Sequence, residues 1–468
     1  MRKHEMWTIV YIFLALFLSM GAYFVYSVQF SAREVVNDSH NTRKKDLEKQ
    51  VIRGTIYAAD GSVLAMEALD DDGQEVRNYP YGEIFAHVVG FSTMGSTGIE
   101  GAADVDLLTS NAPVSEKLQK EMVGIRNTGD NIYTSLRPDL QKVCYASLGD
   151  YKGAAIVMEA KTGRILAMVS KPDFDPNTVA ENWDKISADE ENSPLVNRAT
   201  QGLYPPGSTF KIVTLYEYIK EHPDDHDKYT YDCTGRITAD GETIECFHGS
   251  VHGHEDLMDS FADSCNSSFT NIGLALDIPD LSDTADRFLF GRVLPTDLKY
   301  SRSKFSLSSI SDTKTIMQTS IGQGSTLVTP LHMALITEAI ANGGMMMRAQ
   351  EIVKKTNYAG SLLKEYKPEE YKRIMTEQEA EEMTRYMKQV CITGTGKKFA
   401  GLSYSVAGKT GSAEFGKIKG QSHSWFTGFS NPDDPDIVVT VIMENGGSGS
   451  ENAVPAAKRI FDAFYGTM

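Results

Sequence analysis

The sequence predicts an α+β protein. Three observations carry the prediction: apolar strands at both ends of a large C-terminal segment, helical runs between them, and a glycine-rich, loop-heavy stretch ahead of them. Gly153–Glu159 and Arg164–Ser170 read as apolar strands joined by Ala160-Lys161-Thr162-Gly163, a hairpin. Ser403–Glu414, Ser424–Ser430 and Asp436–Glu444 read as three successive strands. A last helix, Pro455 to Tyr465, presents Ile460, Phe461 and Phe464. Strands so far apart in the chain predict an antiparallel sheet assembled from distant segments and covered by helices.

From the N-terminus, Met1–Met6 is basic on balance, and Trp7 to Phe30 carries no charged residue. That run exceeds the roughly 20 apolar residues a bilayer requires. Trp7 at one end and Tyr23 and Tyr26 at the other suit membrane interfaces, and Arg2 and Lys3 predict a cytoplasmic N-terminus. The run is long for a signal peptide and no small-x-small cleavage site follows it, so an uncleaved transmembrane anchor is expected. A charged, solvated segment follows, Arg33 to Lys49. Arg53–Ala65 reads as two short strands around Asp60-Gly61. Tyr81–Asp106 holds five glycines and reads as part of a small mixed domain with a scaffold role. Ile132–Leu136 is a short strand, and Pro138 opens a helix to about Leu148.

The chain has 468 residues, 41% hydrophobic, and a net charge of −17. A real core is assured. Nucleic acid is excluded as a partner, because phosphate contacts need clustered Lys and Arg. Cys233 and Cys246 flank turn-rich residues, leaving open either a disulfide or two free thiols. Cys144, Cys265 and Cys391 are expected to be buried without partners. Cys233, Cys246, His248, His252 and His254 invite a zinc site, but their spacing is not that of a standard closed site. No metal is expected.

The chemistry concentrates on Tyr204-Pro205-Pro206-Gly207-Ser208-Thr209-Phe210-Lys211. Two prolines and a glycine stop the preceding structure, and the apolar run Ile212–Ile219 reads as a buried helix. Ser208 and Lys211, three apart, share a helix face. A serine hydroxyl needs a base to become a nucleophile, and a buried lysine at a helix start has its pKa lowered toward that task. Ser-x-x-Lys also occurs at Ser301, Ser311 and Ser361, but in polar, charged surroundings. Ser264-Cys265-Asn266 and Lys409-Thr410-Gly411-Ser412 follow in order. Ser-x-Asn recurs at Ser39 and Ser450, and Lys-Thr-Gly at Lys161, where it reads as a hairpin turn. One combination alone gives Ser-x-x-Lys on a buried helix, then Ser-x-Asn, then Lys-Thr-Gly on a strand near the C-terminus. That triple is a known pattern of penicillin-binding proteins and class A β-lactamases.

On these motifs the chain resembles a class B penicillin-binding protein, of the short division-associated type without C-terminal repeat modules. Arg53-Gly54-Thr55-Ile56, Ala86-His87-Val88-Val89-Gly90, Gly98-Ile99-Glu100 and Thr319–Gly324 extend the resemblance over nearly the whole chain. It implies a cytoplasmic tail over 1–6, an anchor over 7–30, a membrane-proximal pedestal over 31–130 and a penicillin-binding transpeptidase domain over 131–468. It implies a serine DD-transpeptidase acting on D-Ala-D-Ala stem peptides of peptidoglycan, acylated by β-lactams and using no cofactor. Ser208 is the implied nucleophile, Lys211 its base, Ser264 a proton relay, and Asn266 a partner of both Lys211 and substrate. Lys409, Thr410 and Ser412 are implied to meet the substrate carboxylate, with Gly411 leaving room for substrate backbone. The backbone N–H groups of Ser208 and Ser412 are the implied oxyanion hole. Ser412 stands where the family often has Thr.

No glutamate lies between Asn266 and Glu338, so the deacylating base of a class A β-lactamase is missing. A catalytically silent scaffold or a β-lactam sensor is the alternative from another class. The intact motif residues argue against a scaffold, and the short segment ahead of the anchor argues against a sensor. The resemblance further implies an extracytoplasmic catalytic domain and a multi-spanning glycan polymerase as partner.

Overall fold

A computed structural model describes residues 3–26, 49–70, 72–415 and 421–467. In chain order, the elements that position the site begin with helix α1 (Lys3–Tyr26) and strands β1 (Ile56–Tyr57), β2 (Val63–Leu69), β3 (Glu75–Asn78) and β4 (Asn131–Thr134). Helix α2 (Pro138–Ser147), strands β5 (Gly153–Glu159) and β6 (Ile165–Lys171), and helices α3 (Lys211–Glu221), α4 (Leu257–Ala262), α5 (Asn266–Ala275) and α6 (Pro330–Ala341) come next. Strands β7 (Ile352–Thr356) and β8 (Leu362–Glu365), helix α7 (Glu377–Ile392), strands β9 (Val406–Glu414), β10 (Ser422–Ser430) and β11 (Ile437–Met443), and helix α8 (Val454–Tyr465) complete them.

The expected sheet forms. Its order is β9-β10-β11-β5-β6, antiparallel throughout, so the two ends of the large segment meet at β11 and β5. Both faces are covered, which is why the strands read as nearly unbroken apolar runs. On β5, Ala154, Ile156 and Met158 enter the larger core with α3 and α6, while Ala155 and Val157 face the second core. That second core also takes Leu140 and Cys144 of α2 and Val454, Ile460 and Phe461 of α8. The period-2 alternation thus divides one sheet between two helical layers.

A second, six-stranded sheet has the order β8-β7-β4-β1-β2-β3. It crosses residue 131: β1 pairs in parallel with β4, and β4 pairs with β7, more than two hundred residues later in the chain. Asp60-Gly61 forms the turn between β1 and β2, with Gly61 at φ 84° and Asp60 Oδ1 accepting from Ser62 N at 2.9 Å. The glycine-rich stretch folds into short helices (Ala86–Val89, Gly98–Ala102, Asp104–Leu107) rather than open loop.

The segment Arg33–Lys49 lies outside the described residues except for its last residue. The expected anchor over 7–30 is helical as far as Tyr26, and 27–30 are outside the described residues. Along α1 the apolar side chains from Trp7 to Tyr23 are exposed. Among the residues described in full, no helix is long and apolar enough to cross a membrane; α1 extends beyond those residues at both ends.

One carboxylate joins two motifs near the base of the second sheet. Glu100 is fully buried and accepts from Arg53 Nε at 2.6 Å and from Arg77 Nε at 2.7 Å. Arg53 also meets Asp104 at 2.6 Å, and Arg77 Nη1 donates to Gly54 O at 2.8 Å. Burial alone would raise the Glu100 carboxyl; Arg53 and then Arg77 outweigh it and hold it below the usual carboxylate range. Glu100→Gln removes the charge that Arg53 and Arg77 share, leaving Arg53 only Asp104 and Arg77 only Glu67 at 3.6 Å, and urea unfolding at neutral pH should show a loss of about 3–5 kcal/mol. A carboxyl whose folded pKa is depressed stabilises above its unfolded pKa and stops doing so as pH falls through the folded one. The gap between wild type and variant should therefore shrink on acidification; a loss below about 1 kcal/mol at neutral pH would contradict the role of the network.

Candidate active site

Ser208 lies in a single 3-10 turn, Gly207–Phe210, that runs directly into α3. Every residue from Lys211 to Ile219 is buried, as the apolar run predicts. The turn is fixed from three sides. Gly207 N donates to Gly322 O at 2.8 Å, Trp425 Nε1 donates to Pro205 O at 3.2 Å, and Tyr204 N donates to Val328 O at 3.0 Å. Gly207 has φ 53°, and a Cβ there would stand 2.9 Å from Ala413 Cα. Only glycine permits both the backbone angle and the approach. A Cβ on Gly411 would meet Pro206 O and Thr209 Cγ2 at 3.2 Å. The serine turn therefore packs on β9 on either side of Ser412. It also fills the space beside Gly411, where the sequence reading expects substrate backbone.

Lys211 and Lys409 are both fully buried, one on α3 and the other on β9. Lys211 Nζ donates to Ser264 O at 2.6 Å and Asn266 Oδ1 at 2.9 Å, and stands 3.4 Å from Ser264 Oγ. Lys409 Nζ donates to the same Ser264 Oγ at 2.8 Å. Two amines thus share one hydroxyl, and among the described residues neither has a carboxylate within ion-pair range. Phe269 lies 5.2 Å below Lys211 Nζ and Phe261 lies 5.3 Å from Lys409 Nζ. A cation–π contact contributes about 0.5–2 kcal/mol, less than the several kcal/mol that burying an ammonium costs. Burial pushes the Lys211 amine down to about 8. Burial and then the Lys211 charge hold Lys409 well below the ordinary lysine range.

Ser264 sits between α4 and α5 with φ 61°, a left-handed angle that is strained for a residue with a side chain. Asn266 is oriented by Nδ2 donating to Glu245 O at 3.1 Å, which leaves Oδ1 for Lys211. Thr410 Oγ1 shares a hydrogen bond of 2.6 Å with Thr395 Oγ1, and Ser412 Oγ accepts from Gly449 N at 3.2 Å. The structure therefore gathers Lys211, Ser264, Asn266 and Lys409 into one hydrogen-bonded group. Ser208, in the turn that leads into Lys211, is half-buried, and its Oγ takes part in no hydrogen bond among the described residues.

Residues 153–463 match the penicillin-binding protein transpeptidase domain, and residues 53–132 match the dimerisation domain of penicillin-binding protein A. The peptidoglycan D,D-transpeptidase PbpA of Mycolicibacterium smegmatis is 31% identical over 444 residues, covering 89% of each chain. The protein of the same name from Mycobacterium tuberculosis is 30% identical over 461 residues, 93% of each. This chain belongs to the class B penicillin-binding proteins. Among solved structures, penicillin-binding protein A from M. tuberculosis as an imipenem acyl-enzyme complex superposes with a TM-score of 0.81 at 28% identity, over 89% of this chain and 99% of that one. The D,D-transpeptidase domain of a peptidoglycan glycosyltransferase from Eggerthella lenta gives 0.79 at 28% identity, over 89% and 99%.

In this penicillin-binding protein several supporting residues were not legible from sequence. Tyr204 Oη and Arg198 Nε both donate to Glu444 Oε1 at 2.7 Å, clamping the segment ahead of the serine turn to the end of β11. Gln323 pairs its side-chain amide with the backbone N and O of Glu414 at 3.1 Å, holding the end of β9. Trp425 is fully buried and anchors Pro205 through its indole N–H. His423 stacks on Phe415 and accepts from Asn445 N at 3.1 Å. Lys161 of the duplicate Lys-Thr-Gly lies in the β5–β6 turn and pairs with exposed Asp434.

The cysteines depart from expectation. Cys144 and Cys391 are buried in the second core as expected. Cys233 and Cys246 are free thiols 3.7 Å apart, so the disulfide alternative is not adopted. Cys265, expected to be buried alone, meets them, and His252 completes a group of four whose donor atoms lie within 4.8 Å of one another. His248 and His254 stay outside it, His254 pairing with Asp232 at 2.8 Å. The sequence reading names His252 together with His248 and His254, and leaves Cys265 out of the group.

Trp425→Phe keeps the buried ring and removes the bond to Pro205. Stability should fall by about 1 kcal/mol, while acylation by a fluorescent penicillin should slow by about five- to tenfold. An unchanged acylation rate would show that the serine turn does not depend on this anchor.

Proposed function

We propose that this chain is a serine D,D-transpeptidase that cross-links peptidoglycan, with Ser208 as nucleophile and Lys211 as its base. The observation that carries the reading is the convergence of two buried amines on Ser264 Oγ, beside the turn that presents Ser208. Two ammonium groups cannot share one buried hydroxyl without an anion, so one amine is neutral. A neutral Lys211 has two N–H groups, which Ser264 O and Asn266 Oδ1 accept. Its lone pair is then free to take a proton from a hydroxyl.

The mechanism follows. A stem peptide's terminal carboxylate settles by Lys409 and favours the charged form of that amine, whose charge in turn drives Lys211 toward its neutral form. Ser208 Oγ attacks the carbonyl of the penultimate D-Ala and its proton passes to Lys211. The N–H groups of Ser208 and Ser412 face the developing oxyanion; each such donor contributes about a hundred- to thousandfold in rate. Ser264 hands a proton to the departing D-Ala amine and recovers it from the lysines. The amine of a second stem attacks the acyl-enzyme in the same geometry, releasing Ser208 and closing the cross-link. Asn266 holds Lys211 and offers its remaining N–H to substrate. A β-lactam enters by the same attack and stays, since Glu338 is no water-activating base: it is buried in α6 and accepts from Met347 N at 3.1 Å.

The reading includes an anchor at α1, whose exposed apolar side chains from Trp7 to Tyr23 support it, a cytoplasmic tail ahead of it, and an extracytoplasmic catalytic domain. A membrane-proximal pedestal up to residue 130 then carries the transpeptidase domain, which lends it β7 and β8. A membrane-embedded glycan polymerase supplies the strands to be cross-linked.

Wild-type protein incubated with a fluorescent penicillin should hold stable label, and Ser208→Ala none. Rapid loss of label from the wild type would instead mean hydrolysis. The acylation rate should rise with pH through about 8, because protonated Lys211 accepts nothing. Lys211→Arg should be slower by about 10²–10⁴-fold and flat across that range; a wild-type profile flat from pH 6 to 10 would contradict the lysine base.

A further inference from the structure

The edge of β9 that faces away from β10 is open over only part of the strand. In an antiparallel pair, alternate residues turn both N–H and C=O toward the partner, and the residues between them turn both outward. Phe415 N donates to Gln421 O at 3.3 Å and Asn431 N donates to Ser405 O at 2.8 Å, each continuing the β9–β10 register. The odd-numbered positions of β9 therefore face β10. Gly408, Thr410, Ser412 and Glu414 turn their N–H and C=O to the other side, where a further strand adds.

That edge is closed at both ends. At one end Gly408 N–H meets the Cys391 thiol of α7. At the other, the Gln323 amide donates to Glu414 O and accepts from Glu414 N, both at 3.1 Å. A glutamine side chain carries an amide's donors and acceptor, so it takes the place of one residue of a neighbouring strand. Its loop is locked to the serine turn. Gly322 at φ 70° and Gly324 at φ 79° flank Gln323, whose N donates to Gln318 O at 2.8 Å, while Gly322 O accepts from Gly207 N. A Cβ on Gly322 would stand 2.1 Å from Gly207 O. The plug thus keeps a fixed distance from Ser208. Between the two ends Thr410 O lies 3.4 Å from Lys409 Nζ, and no turn, loop or side chain among the described residues meets Ser412 N or O.

Building on the reading of Ser208 as nucleophile and Ser412 N–H as an oxyanion donor, we propose that Gln323 is a specificity-determining residue that ends the strand a donor stem forms along β9. An acyl chain antiparallel to β9 pairs its attacked D-Ala with Ser412. The carbonyl of that residue accepts from Ser412 N, and its own N–H donates to Ser412 O. The terminal D-Ala then lies toward Thr410 and Lys409. The residue just upstream turns its backbone groups away from β9. The next one able to pair is two positions upstream, and its place at Glu414, about 6.8 Å along the strand, is held by Gln323. Backbone pairing of the donor on β9 is therefore confined to the attacked D-Ala, and the stem ahead of it leaves the sheet.

The test uses full-length protein in detergent and the mercaptoacetate thioester of acetyl-Gly-Gly-D-Ala, with thiol release as the readout. Two further donors carry an ester oxygen in place of one N–H, either that of the D-Ala or that of the first Gly, two positions upstream. Wild type should lose about fivefold or more in kcat/KM from the ester at D-Ala and less than about twofold from the upstream ester. Gln323→Ala frees Glu414 N and O, and should lose about fivefold or more from the upstream ester as well. Gln323→Glu, whose carboxylate cannot donate to Glu414 O, should respond as Gln323→Ala does; the wild-type comparison stands even if both variants fold poorly. A wild type that loses as much from the upstream ester as from the other would overturn the inference. So would a Gln323→Ala protein slowed equally toward all three donors, which would mean that Gln323 only holds β9. Thiol release that Ser208→Ala abolishes supports the nucleophile whatever the esters show, and no release by wild type would overturn that reading and this inference with it.

Discussion

Burying an ammonium group costs several kcal/mol unless an anion accompanies it, and here two lysines are buried together with no carboxylate of the described residues in ion-pair range. Lys211 and Lys409 meet on a single hydroxyl, Ser264 Oγ, at 3.4 and 2.8 Å. Aromatic rings beneath the amines recover only part of the desolvation. The fold thus holds two amines that give up their protons more readily than ordinary lysines. A site that must abstract a proton from a serine and later return one is served by that readiness.

Holding the pair requires three segments that are distant in sequence. Lys211 comes from α3, which is buried along its length; Ser264 and Asn266 from the turn between α4 and α5; Lys409 from β9. Strand β9 is an edge of the five-stranded sheet, so one side of its backbone is not taken by a neighbouring strand. The serine turn packs on one face of this strand through Gly207 and Gly411, and Trp425 and Gly322 tie it there. The two-faced core beneath the sheet supplies the rigidity; the strained backbone at Ser264 is the local cost of aiming one hydroxyl at two amines.

Much of this was legible in the sequence. The sheet strands were readable because residues buried on both faces leave unbroken apolar runs, and the site was readable because the three short motifs occur in one order on the right elements. Other parts were not. Ile352–Thr356 was not read as a strand, and no local pattern could say that its partner is Asn131–Thr134, far back in the chain. The positive φ of Ser264 has no signature, since nothing but its neighbours imposes it. Cys265 hid inside a motif read for its flanking residues, so its convergence with Cys233, Cys246 and His252 went unread. Trp425 showed only as an apolar position on a strand; its donor to Pro205 is a product of tertiary packing.

The most direct test of the shared-hydroxyl arrangement is to observe the amines themselves. Nitrogen NMR of protein labelled at lysine Nζ, with the Lys211 and Lys409 signals assigned by their loss in Lys211→Arg and Lys409→Arg, would follow each through a pH titration. The account predicts that both titrate below the ordinary lysine range, Lys211 near 8. Two amines that stay charged up to pH 10 would contradict it.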